Sequence, residues 1–178
     1  FKTEAGRLVR DGGGVTPDIA IEEEKTPTMT YYLSNQYIIF DWVTEWTSKH
    51  KTISSPETFS INDEDYESFK AFVKSKDFQY DRMSEKSMAS LKEVMEFEGY
   101  MKYADTEFKA LEAMLVPNLD RDLETFKDDI TKLLNTEIIK RYYYMKGEYI
   151  YTLKNDKELT KAIEILNDQN LYKETLSI

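Results

Sequence analysis

Between Leu119 and Leu133 the apolar positions Leu119, Leu123, Phe126, Ile130 and Leu133 recur at i, i+4, i+7, i+11 and i+14. That repeat paints one face of a helix and is incompatible with the two-residue alternation of a half-buried strand. The stripe passes on to Leu134, Ile138 and Tyr142. A helix of about 25 residues, roughly 38 Å long, is predicted here, with Gly147 placed just after its C-cap. Shorter stretches carry the same period. Tyr32, Ile39, Val43 and Trp46, widened by Leu33, Tyr37 and Phe40, predict a helix over 31–49. Tyr66, Phe69 and Val73 mark a second, capped by Asn62 or Asp63 with acids in its first turn. Ser87, Met88, Leu91, Val94 and Met95 are expected inward on a third, capped by Ser84 and broken at Gly99. Phe108, Leu111 and Leu115 point inward on a short helix over 106–115, and Leu159, Ile163 and Leu166 on a last one capped by Asn155 or Asp156. Residues 149–153 read as a turn or a short extended piece. The fold class is mainly α: a helical bundle of about six helices preceded by a short β-hairpin remnant.

The β element rests on glycine. Gly12, Gly13 and Gly14 run together, Pro17 and Asp18 follow, and short apolar pairs flank them: Leu8 with Val9, and Ile19 with Ile21. Consecutive glycines open backbone conformations closed to other residues, and Pro17 fixes its own φ and holds Thr16 extended. The five residues Gly12, Gly13, Gly14, Pro17 and Asp18 therefore read as a structural turn. A phosphate-cradling loop would feed a helix N-terminus and place a lysine after the glycines; here the following residues are extended and no lysine follows.

Composition removes several function classes. The net charge of −10 repels nucleic acid and anionic membrane surfaces. No run of about 18 apolar residues exists, so no membrane insertion is expected. The absence of cysteine excludes disulfides and zinc-thiolate sites. No pattern calls for a cofactor or a metal. Ser48 and Lys51 have the Ser-x-x-Lys spacing, but nothing apolar surrounds Lys51 to lower its amine pKa. His50 is the single histidine and lacks a nucleophile elbow to serve. The acidic clusters lack calcium-loop spacing and read as helix starts and solvated faces. Trp42 and Trp46, one turn apart, and Tyr142, Tyr143 and Tyr144, which cover most of a helix circumference, read as core and as a possible docking surface. No catalytic residue is assigned.

Gly6-Arg7, Val9 and the run GGGVTPDI from Gly12 to Ile19 resemble the end of the protease domain in the C-terminal processing peptidases, the tail-specific serine proteases. Val15 stands where that family commonly has isoleucine. The EGY at Glu98 to Tyr100 and the RYYYMKG at Arg141 to Gly147 are similar to the helical tail of Bacteroides-type members. The resemblance implies that residues 1–24 are the terminal β segment of a truncated protease domain, 25–30 a linker and 31–178 a C-terminal helical domain. It implies a parent serine endopeptidase cutting polypeptides near their C-termini, with a Ser/Lys dyad upstream and this region inactive by itself. The implied partners are the upstream protease and PDZ-like domains of the same protein, the parent's polypeptide substrate and a possible homo-oligomer. The implied location is the periplasm or cell envelope. The alternative is a free-standing helical binding module unrelated to proteolysis.

Overall fold

A computed structural model describes the chain apart from residues 4, 5, 7, 8, 10, 11, 13, 15, 23, 24, 117, 177 and 178. Nine helices are found among the described residues: α1 (Thr28–Asn35), α2 (Ile38–Lys49), α3 (Asp63–Ser75), α4 (Met83–Glu98), α5 (Met101–Leu115), α6 (Leu119–Thr125), α7 (Lys127–Leu153), α8 (Lys157–Asn167) and α9 (Gln169–Leu176). The class is mainly α, as the periodicity predicts.

The core is built by α1, α2, α3, α6 and α7. α7 lies against α2, burying Ile130, Leu134, Ile138 and Ile139 on one side and Ile39, Trp42, Val43 and Trp46 on the other. Tyr66, Phe69 and Val73 of α3 close the third side, and Leu123 of α6 the fourth. Each fully buried side chain of this size contributes about 1.5–3 kcal/mol. α3 starts where expected: the Asn62 side chain accepts from Asp65 N–H at 2.8 Å, and Asp65 accepts in return from Asn62 N–H at 3.3 Å. This capping box satisfies two backbone donors at once. Asp156 caps α8 by accepting from Leu159 N–H at 2.7 Å.

Several boundaries differ from the periodic reading. The expected 31–49 helix is two, because Tyr37 takes a left-handed φ of 60° and restarts the chain as α2. The run from Leu119 is broken at Phe126 (φ −104°, ψ 20°), giving α6 and α7. Gly147 does not follow a C-cap: α7 continues through it, and 149–153 is helical, not extended. α4 begins at Met83 without a side-chain cap, not at Ser84, and α5 begins at Met101. Gly99 ends α4 as expected, at φ +78°, with Gly99 and Tyr100 N–H returning to the Glu96 and Met95 carbonyls.

The inward sets of the outer helices also differ. Leu91 and Val94 of α4, Leu111 of α5, and Leu159, Ile163 and Leu166 of α8 are exposed. Met88 and Met95 are half-buried, and Phe108 is buried. α4 and α5, joined by Gly99 and Tyr100, pack on each other as a hairpin, and α9 follows α8 in contact with it. At the chain start, Val9 N–H donates to the Phe1 carbonyl at 2.9 Å, while Ile19 and Ile21 lie in no strand. Among the described residues the β element shows this pairing of Phe1 with Val9, and two short strands without a sheet are marginal.

Candidate docking surface

Tryptophans one turn apart on α2 would share a face, and that face points into the core. Trp42 and Trp46 are both buried. Trp42 packs edge-to-face on Phe69 at 5.5 Å, and Trp46 likewise on Phe59 at 6.1 Å. Their polar edges reach α3, where Trp46 Nε1–H donates to Asp65 Oδ1 at 2.7 Å and Trp42 Nε1–H to Ser68 Oγ at 3.5 Å. Only the rims of the two indoles reach a cleft of about 320 Å³, shared with Glu45, Lys49, His50 and Phe72. His50 stacks on Trp46 with ring centroids 3.8 Å apart, and its Nδ1 lies 2.8 Å from the Trp46 carbonyl.

The three tyrosines of α7 separate by exposure. Tyr142 is half-buried and its hydroxyl donates to the His50 carbonyl. Burial pushes its pKa up. Tyr143 lies at the surface with its hydroxyl 3.5 Å from the Ile53 carbonyl. Tyr144 is 77% exposed and sits at φ 55°, ψ −158° inside the helix. Few residues other than glycine hold that conformation, and it costs of order 1–3 kcal/mol. The kink brings Gly147 against Tyr143 and Ile139: a Cβ at Gly147 would lie 2.3 Å from Tyr143 Cβ.

Beside the kink, the Arg141 guanidinium lies 4.4 Å over the ring of exposed Phe40, and Tyr37 stands edge-on to Phe40 at 6.5 Å. Phe40 and Tyr37 are exposed at this crossing of α2 and α7, and Tyr144 is exposed at the kink three residues beyond Arg141. The sequence pattern had assigned Phe40 and Tyr37 to a widened core stripe; the left-handed turn at Tyr37 rotates them outward. Of the five aromatic docking candidates, Trp42 and Trp46 lie in the core and the three tyrosines run from half-buried to fully open. Of the turn residues, Gly12 and Gly14 have φ of +77° and +90°, Pro17 and Asp18 are exposed, and Gly13 lies outside the described residues.

No nucleophilic arrangement forms around the polar candidates. Ser48 Oγ–H donates to the Glu45 carbonyl at 2.7 Å, and Lys51 is solvent-exposed. Lys140 lies 3.7 Å from Glu137 and 3.8 Å from Glu148, and Arg141 lies 3.6 Å from Glu137, so carboxylates offset the cations beside the tyrosines. Among the described residues no group of three His, Cys, Asp or Glu is placed to hold a metal ion. No helix among the described residues is long and apolar enough to cross a membrane.

The described residues thus form a helical core with exposed aromatics on its surface. The chain belongs to the family described as the C-terminal helical domain of a probable PDZ-protease, whose model matches residues 29–166. It is therefore a protease-associated helical domain. No curated protein and no solved structure matches it.

Proposed function

We propose that the chain is the non-catalytic C-terminal region of a tail-specific serine endopeptidase, and that its helical domain braces and docks the protease domain. One observation carries this reading: the family match over residues 29–166 is preceded by the GGGVTPDI run from Gly12 to Ile19, which resembles the end of such a protease domain. In the parent, a neutral lysine takes the serine proton and backbone amides hold the oxyanion. A PDZ-like domain selects the polypeptide tail. The location proposed is the periplasm or cell envelope.

The docking surface proposed is the exposed crossing of α2 and α7 formed by Tyr37 and Phe40, together with Tyr144 at the kink three residues beyond Arg141. Exposed aromatics fixed on rigid helices are the side chains that anchor interfaces. The test is peptide hydrolysis by the parent protein carrying Phe40→Ala and Tyr144→Ala. Losing two anchors at 1–2 kcal/mol each lowers kcat/KM by about ten-fold or more, while helicity stays intact because both side chains are exposed. Unchanged hydrolysis would rule out docking through this surface.

A further inference from the structure

The α4–α5 hairpin leaves a two-helix apolar face uncovered. On α4, Met83, Val94 and Phe97 are 65%, 51% and 93% exposed; on α5, Tyr103, Leu111 and Met114 are 74%, 44% and 72% exposed. With about 200 Å² for a large side chain in the open, these six leave on the order of 800 Å² uncovered, comparable to the area per partner in a standard interface. Monomers rarely show apolar patches of this extent.

The two stripes lie on one face. Counting about 100° per residue, the exposed stripe lies roughly 140° on α4 and roughly 110° on α5 from the line that faces the other helix, to the same rotational side. Antiparallel helices turned the same way present both stripes together. Lys92 and Glu112 turn the opposite way, and they meet at 2.7 Å across the hairpin's other face. Arg82, which donates to the Leu115 carbonyl, ties the root of the hairpin.

We infer that this face is a self-association surface, two copies stacking their hairpins antiparallel into a four-helix bundle. Spacing supports a second copy as occupant. Met83, Val94 and Phe97 on α4 and Tyr103, Ala110 and Met114 on α5 fall on the 4- and 3-residue intervals of bundle-forming seams, with Ser87, Ser90 and Glu107 as the polar members of the same stripes. A two-fold axis through Ser90 sets Phe97 of one copy against Met83 of the other, and Val94 against the small Ser87. Charge fits the same register. Lys86 and Glu93 lie on the outer flank of α4, seven residues apart. The axis brings Lys86, which also holds Asp81 at 2.5 Å, beside Glu93 of the other copy, twice per dimer. The inference does not depend on the peptidase assignment, since it concerns this chain alone.

The experiment is sedimentation velocity on the full chain from low to high micromolar concentration, with circular dichroism on every variant. The wild type is expected to shift from monomer to dimer mass with concentration. Val94→Glu with Phe97→Glu stays monomeric at every concentration with unchanged helicity, because both side chains are exposed. Lys86→Glu weakens association by about five-fold, and adding Glu93→Lys restores it. A wild-type chain that stays monomeric throughout overturns the inference and leaves the face to another partner. A dimer indifferent to Val94→Glu with Phe97→Glu overturns it equally.

Discussion

Tyr144 and Gly147 carry the strain of α7, and each yields a prediction. Replacing Tyr144 by glycine removes a backbone penalty of about 1–3 kcal/mol and adds a glycine entropy cost of about 0.5–1 kcal/mol. The expected result is a net gain of about 1 kcal/mol, seen as a Tm rise of about 2–4 °C. Gly147→Ala works the other way, because its methyl would meet Tyr143 Cβ at 2.3 Å and Ile139 Cγ2 at 2.9 Å. A loss of about 2 kcal/mol is expected, checked by urea unfolding. Asn135 is a third such position. Its Oδ1 accepts from Ile61 N–H at 2.9 Å in the core, and its Nδ2 donates to Tyr151 at 3.0 Å and Ser60 at 3.3 Å at the core's edge. Asn135→Leu leaves a buried N–H without a partner and costs about 1–3 kcal/mol. None of these three was legible beforehand. A lone asparagine between Leu134 and Ile138 was the available sign for Asn135, and a glycine after three tyrosines reads as a helix end until the kink is seen.

At the level of elements, charge pairs tie α3 to α6 and α7. The Lys70 ammonium, mostly covered, sits 2.9 Å from Glu67 and 2.5 Å from Glu124, and Lys127 sits 2.8 Å from Asp63. The hydrogen bond from Lys70 lowers the pKa of Glu124, and that from Lys127 lowers the pKa of Asp63. A carboxyl lowered in the folded state stabilises fully above its unfolded pKa, and that contribution is lost as pH falls through the folded value. Tm is therefore expected to hold near neutrality and to drop below about pH 4, with a smaller drop in Glu124→Gln. Periodicity located the core helices because α2, α3 and α7 each have one wide covered face. It misplaced the inward sets of α4 and α8 for a physical reason. α4 has two apolar arcs, Met88 with Met95 and Met83 with Val94 and Phe97, and spacing alone does not say which arc meets a neighbour. The breaks at Tyr37 and Phe126 depend on backbone angles that no side-chain period encodes.

Across the whole molecule, burial concentrates in α1, α2, α3, α6 and α7, while α4, α8 and α9 bury no residue fully. Amide exchange is expected to follow that division: slowest in α2 and the first half of α7, faster by orders of magnitude in α4, α8 and α9. This distribution suits an accessory body with a rigid core and outer helices. It agrees with the chain's membership of a protease-associated helical family, and the glycine-rich run is the feature that pointed there from the sequence. The most direct measurement on the central claim combines a peptide-hydrolysis assay of the purified chain with a serine-directed phosphonate probe. The account predicts no turnover and no labelling of Ser48 or any other serine above a heat-denatured control. Turnover by the chain alone, abolished by Ser48→Ala or Lys51→Ala, would contradict it.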